Sequence, residues 1–224
     1  MKILAIDTSF EACSAAIVCD DRTLWSQMRV IGKGHAEALA PMVADGLAAT
    51  GLEISDFDRI GVVVGPGAFA GVRVGLAFAR ALCLGTPARA VGVTSTQALA
   101  ASLDIKAAIA PVFDARRGQV YAALYGPSLR TLIDPFVASP GEAATRLQSA
   151  APEDLVLTGS GAPLVLGDMK DRAAVSERRH IDPAAVARLA GATAPASAPP
   201  TPLYLRPPDA TPSASSLFEG AAGR

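Results

Sequence analysis

Short apolar runs separated by turn-forming residues open the chain. Ile3 to Ile6 is apolar and stops at Asp7-Thr8-Ser9, a turn rich in hydrogen-bonding side chains. Residues 12–19 predict a second strand and Thr23 to Val30 a third, with Asp20-Asp21 as the hairpin turn between them. The period then becomes helical. Residues 35–50 place Leu39, Met42, Val43 and Leu47 on one side. Pro41 removes a backbone donor there, so the helix is expected to kink or to begin later than His35, and Gly51 is its expected stop.

Arg59 to Val64 predicts a further strand, which runs into Gly65-Pro66-Gly67-Ala68-Phe69-Ala70-Gly71 and then a helix from about Val72 to Leu84. Ala88 to Val93 predicts a strand, and Thr94 the cap of a helix reaching about Leu103. Three antiparallel strands followed by α/β crossovers is the order of a ribonuclease H-like lobe. A second, smaller lobe is expected from Ala107 to Phe113, Gln119 to Tyr125, Leu155 to Leu157 and a short helix at 183–190. The expected division is 1–103, 104–206 and a flexible tail 207–224, in which Leu217-Phe218 could dock. The Ala-, Pro-, Ser- and Thr-rich stretch 192–202 reads as an extended linker, and Leu203-Tyr204-Leu205-Arg206 as a brief apolar anchor.

The helix after the glycine loop carries more apolar surface than one sheet covers. Arg73 and Arg80 share one narrow stripe. Val72, Leu76, Ala79 and Cys83 occupy one side, and Val74, Phe78, Ala81 and Leu82 spread over the other. The second face calls for a cover, either a partner or the second lobe.

Composition narrows the function classes. Of 224 residues, half are hydrophobic and 18% charged, and the net charge is −1. Unaided nucleic-acid binding normally needs a basic excess, which is absent. Three unclustered cysteines, Cys13, Cys19 and Cys83, fit neither a disulfide framework nor a zinc site and read as buried thiols. The first apolar run is too short for a signal peptide, and no apolar stretch is long enough for a membrane span, so the cytoplasm is the expected compartment.

Two segments carry candidate chemistry. Asp7, Thr8 and Ser9, with Ser14 beyond them, could cradle phosphate with backbone N–H groups and hydroxyls, or could simply satisfy a tight turn. Gly65, Gly67 and Gly71 flank a strand-to-helix turn where the missing side chains admit a ligand or a neighbouring loop. The spacing is neither a Rossmann fingerprint nor a P-loop. A metal-binding helix at His35 would need a second ligand one turn on, where Leu39 stands. His180 follows Glu177-Arg178-Arg179 and reads as part of a solvated basic patch.

Several pieces together resemble the TsaB (YeaZ) family of tRNA threonylcarbamoyladenosine biosynthesis proteins. They are residues 3–9 with Ser14, His35-Ala36-Glu37-Ala38-Leu39-Ala40-Pro41, the glycine segment 65–75, Asp114-Ala115-Arg116 with Val120-Tyr121, and Pro202-Leu203-Tyr204-Leu205-Arg206. The resemblance covers about residues 1–206. It implies an α/β, actin-like (ribonuclease H-like) fold with two lobes, each a mixed sheet flanked by helices. It also implies a non-catalytic subunit with no cofactor or metal of its own. The implied partners are the catalytic subunit TsaD, the small ATPase TsaE, a second copy of the chain, and tRNA only within the complex. The implied interface lies on the helices near 35–50 and 72–84, through Leu39, Met42, Val74, Phe78, Ala81 and Leu82. The family often carries Ser and Thr where this chain has Ala68 and Ala70.

Two other functions remain to be weighed. An actin-fold ATPase or kinase would use Asp7 and Asp114 as its acids, with Gly159-Ser160-Gly161 against adenosine. A metallopeptidase would need paired histidines or His-Glu-x-x-His, and the sequence has neither.

Overall fold

Strand β1 (Lys2–Asp7) is apolar almost throughout because neighbours bond it on both edges and helices cover both faces. The antiparallel strands β2 (Ala12–Cys19) and β3 (Arg22–Val30) extend the sheet on one side. Parallel strands β4 (Arg59–Gly65) and β5 (Arg89–Thr94) extend it on the other, giving the order β3-β2-β1-β4-β5. Asp20 and Asp21 turn the first hairpin, both with positive φ.

The computed structural model describes residues 1–152, 154–169 and 173–207. The tail from 208 onward, with Leu217-Phe218, lies outside the described residues.

The second sheet repeats the first. Strands β6 (Ala108–Arg116), β7 (Gln119–Tyr125) and β8 (Thr131–Ala138) form an antiparallel meander. Strands β9 (Leu155–Thr158) and β10 (Ala173–Val175) add to β6 in parallel. The order β10-β9-β6-β7-β8 is the order of the first sheet, with β6 in the place of β1.

Helices α1 (His35–Thr50) and α2 (Phe69–Leu82) cover one face of the first sheet. Helix α3 (Ser95–Ala101), capped by the Thr94 hydroxyl accepting from Gln97 N–H, packs between the two sheets. Helices α4 (Pro140–Ala150) and α5 (Ala162–Leu166) pack on the second sheet. Helix α6 (Pro183–Ala192), late in the chain, returns to the first sheet against β1, β2 and β4. Arg59 holds it there: one guanidinium nitrogen donates to the carbonyls of Ala190, Gly191 and Thr193 at 2.6, 2.8 and 2.7 Å. These are carbonyls that a helix C-terminus leaves unpaired.

Several expectations change. Helix α1 does begin at His35 and contains Pro41. Pro41 lies on the exposed side, as does Glu37, whose carbonyl loses its helical partner to the proline, so water can satisfy it. Leu39 and Met42 point inward and are 0% and 1% exposed, so they belong to the core and not to an outer interface. The period of α1 identified an apolar face correctly, but that face is the one the sheet covers. Helix α2 starts three residues earlier than predicted, at Phe69, which puts Ala70 and Gly71 in its first turn. Of the cysteines only Cys13 is buried; Cys19 and Cys83 are half-buried. Burial pushes the Cys13 thiol up to about 11, with the Asp7 carboxylate adding to the rise, so it is not a nucleophile at neutral pH. No helix among the described residues is long and apolar enough to cross a membrane.

Candidate functional site: the cleft and the α2 face

A cleft of about 930 Å³ runs between the two sheets. Asp7, Glu11, Lys33, His35, Gly67, Gly71 and Val74 line it from the first lobe, and Asp114, Arg116, Arg117, Ser160 and Arg179 from the second. The structure therefore brings Asp7 and Asp114 to one cavity. Thr8, Ser9 and Gly65 do not line it; all three are buried behind the wall.

The Asp7–Ser9 turn directs its polar groups inward. Asp7 Oδ1 accepts from Ser9 N–H at 2.8 Å and from Ser9 Oγ–H at 2.6 Å. Thr8 Oγ1 donates to the Gly71 carbonyl at 2.7 Å, and Ala68 N–H donates to the Ser9 carbonyl at 2.7 Å. The two candidate phosphate segments are thus bonded to each other. The glycines make that approach possible: a Cβ on Gly67 would stand 2.5 Å from the Ser9 carbonyl oxygen, and one on Gly71 would collide with the Thr8 carbonyl. Missing side chains at 67 and 71 admit the neighbouring turn.

Burial raises the Asp7 carboxyl above the usual carboxylate range. The Ser9 hydroxyl and N–H oppose the rise, as do His35 and His180. A carboxyl whose folded pKa stands above its unfolded value favours folding when protonated. That contribution is complete below the unfolded pKa and is lost as pH rises through the folded one. Asp7→Asn keeps a side-chain oxygen for both Ser9 donors. It is expected to be at least as stable as the parent at neutral pH and to flatten the fall of stability with rising pH above the ordinary carboxylate range, as urea melts at a series of pH values will show.

Among the described residues no group of three or more His, Cys, Asp or Glu side chains converges as a metal site requires. His180 is not part of a solvated patch: half-buried, it reaches across the cleft, with Nδ1 3.7 Å from Glu11 Oε1. Phe10 also crosses, stacked on Phe113 of the second lobe with ring centroids 4.0 Å apart. Nothing in the sequence pattern signalled either contact. Ser160 and its glycines support the second sheet: Ser160 Oγ accepts from Asp114 N–H at 3.2 Å, and Gly161 N–H donates to the Val112 carbonyl at 2.9 Å.

The outer face of α2 is the other candidate. Val72, Leu76 and Ala79 are buried against the sheet, while Val74, Phe78 and Leu82 are half-buried at its edge. Ala77 and Ala81 are exposed, and Leu84, just past the helix, is 79% exposed. The packing of α2 runs to β4, β1 and α1. Beside it α1 exposes Ala36, Ala40, Pro41, Ala44 and Ala48. The exposed positions of the two helices are mostly small or apolar, with Glu37, Asp45, Arg73 and Arg80 as the charged ones among them.

A family model described as TsaD, tRNA N6-adenosine threonylcarbamoyltransferase, matches residues 28–161. The TsaB protein of Escherichia coli (strain K12) is 36% identical over 128 residues, covering 56% of this chain and 55% of that protein. The chain thus spans about half the length of that relative. TsaB of Haemophilus influenzae is 30% identical over 164 residues, covering 66% of this chain and 69% of its own length. Among solved structures, a protein described as similar to the peptidase YeaZ from Pseudomonas aeruginosa superposes with a TM-score of 0.81. It is 29% identical, and the match covers 92% of this chain and 99% of that one. Two mixed sheets flanked by helices and facing each other across a cleft make the fold actin-like, as the resemblance implied. Its matches, its fold and its glycine segment place the chain in the TsaB (YeaZ) family, whose named relatives are tRNA threonylcarbamoyladenosine biosynthesis proteins.

Proposed function

We propose that the chain is a non-catalytic subunit of the machinery that places threonylcarbamoyl on N6 of adenosine 37, in tRNAs reading codons that begin with A. In this reading it pairs with the TsaD-type transferase through the outer face of α2, the ATPase TsaE joins the pair, and tRNA is met only within the complex. The observation that carries the reading is the apolar α2 face, from Val74 through Phe78 and Ala81 to Leu84, which the chain itself leaves partly uncovered. The inward-bonded Asp7–Ser9 turn supports the absence of independent catalysis, because its hydroxyls and the facing loop satisfy one another. The lobe division at residues 103 and 104 belongs to the same reading: β1–β5 precede it and β6–β10 follow, although α6 crosses back. The cytoplasm is its compartment.

Reconstitution decides the matter. Transferase, TsaE, tRNA, ATP and the threonylcarbamoyl donor are combined with and without this chain. Modified nucleoside is expected only with it. Equal yield in its absence would remove the partner role.

One alternative keeps a specific footing, since Asp7 and Asp114 share a cleft as the acids of an actin-fold ATPase would. Asp114 is occupied, however: its Oδ1 accepts from Arg116 N–H at 2.7 Å and its Oδ2 lies 3.3 Å from the Arg116 guanidinium. Phosphate release by the isolated chain, abolished by Asp7→Asn, would revive that reading.

A further inference from the structure

We propose that residues 200–206 form a tie that holds the two lobes together on one side of the cleft, with Arg206 as its key positioning residue. The first-lobe anchor begins at a β-bulge. The β4–β5 register runs Val63↔Val93 and then Gly65↔Thr94, so Val64 is an extra residue. Its carbonyl accepts from Leu203 N–H at 2.8 Å. Gly65, with φ of 105°, lets the tie come this close, since a Cβ there would stand 2.8 Å from the Leu203 carbonyl oxygen. The Leu203 side chain packs into the core beneath α2.

Helix α2 grips the same segment from outside. Arg80 donates to the Pro200 carbonyl at 2.7 Å. Arg73 Nε donates to Tyr204 Oη at 3.0 Å while its guanidinium lies 3.7 Å over the Phe69 ring, and Phe69 packs against Tyr204 with the rings tilted by 31° and centroids 4.5 Å apart. The two arginines of the predicted stripe thus serve the tie.

The hydrogen bonds to the second lobe come from a single side chain, beside which Leu205 packs on the core that holds Phe113, Ala115 and Tyr121. Arg206 Nη2 donates to the Ala115 carbonyl at 2.7 Å, Nη1 to Gln119 Oε1 at 3.1 Å and Nε to Tyr121 Oη at 3.2 Å. All three acceptors lie on the β6–β7 hairpin. A planar guanidinium reaches three divergent acceptors at once, which a lysine ammonium on its flexible stem does not reproduce.

Only Leu205 separates the two grips. Two Cα steps span at most about 7 Å when extended, so no slack remains between Tyr204 and Arg206. A hinge motion that widened the cleft would have to break one anchor. The Phe10–Phe113 stack and the Glu11–His180 contact cross the same cleft at other points. The α2 face is therefore mechanically joined to the second lobe.

The test is hydrogen–deuterium exchange on the full chain, comparing the parent with Arg206→Ala, Arg206→Lys and Tyr204→Ala. Circular dichroism and thermal melts establish that each variant is folded. All three are expected to speed exchange about tenfold or more in the β6–β7 hairpin and in residues 64–68, with β1 and β2 unchanged. Lysine at 206 should behave like alanine. Parental exchange in the folded variants would overturn the tie. So would parental exchange in Tyr204→Ala should both Arg206 variants fail to fold. Binding to the transferase subunit is scored separately, so loss of the partner reading leaves the exchange result intact, and the reverse.

Discussion

Ala81→Arg is expected to abolish co-elution with the TsaD-type subunit while leaving the melting temperature of the isolated chain within about 2 °C of the parent. Ala81 is exposed at the centre of the outer face of α2, between Phe78 and Leu84. An arginine there meets solvent in the monomer but would have to be buried without a counter-charge in the complex. Hot-spot positions typically account for 2 kcal/mol or more, so affinity should fall at least about 30-fold. Phe78→Glu should do the same, with a complication. Phe78 also packs against the core beneath α2, so its replacement will lower monomer stability as well. The pair of variants separates the two effects, because only Ala81→Arg probes the face without touching the core. Normal co-elution of Ala81→Arg would move the interface elsewhere.

The reach of the sequence is clearest where chemistry is local. The first three strands, the Asp20-Asp21 turn and the Gly51 stop follow from period and turn residues alone. The start of helix α4 is equally local, since Ser139, Pro140 and Glu142 spell a capping box, which the structure forms in both directions. Other features had no local signal. That Leu39 and Met42 face the sheet, and Phe78 its edge, depends on where the sheet lies, which a helical wheel does not contain. The return of α6 to β1, and the reach of Arg206 to Ala115, join residues far apart in sequence. The glycine loop lies between these cases. Its spacing announced a close approach, but the neighbour that Gly67 and Gly71 admit is the Thr8–Ser9 backbone, which only the folded chain identifies.

That identification makes Gly71→Ala a severely damaging small substitution. The added methyl would meet the carbonyl oxygen of Thr8, a backbone atom at the end of β1 that has no rotamer by which to yield. Relief requires moving the first turn of α2 away from β1, which would strain the 2.7 Å bond from Thr8 Oγ1 to the Gly71 carbonyl. Overpacking of this kind costs about 3 kcal/mol, or roughly 10 °C in Tm for a chain of this size. Gly85→Ala is the comparison: no atom lies within 4 Å of its Cβ position, and its φ of 74° adds strain without a clash. Its loss should be about 1 kcal/mol. Ala68→Ser and Ala70→Ser, which restore hydroxyls frequent in the family, lie on exposed positions of the cleft wall; Ala70→Ser should leave Tm unchanged, and Ala68→Ser, at the uncapped N-cap of α2, should raise it by about 3 °C. A loop shaped to receive a ligand would behave in the opposite way, keeping its stability in Gly71→Ala and losing only binding. Thermal and urea melts of these four variants therefore discriminate a packing glycine from a ligand-cradling one, and the contact with Thr8 favours the first.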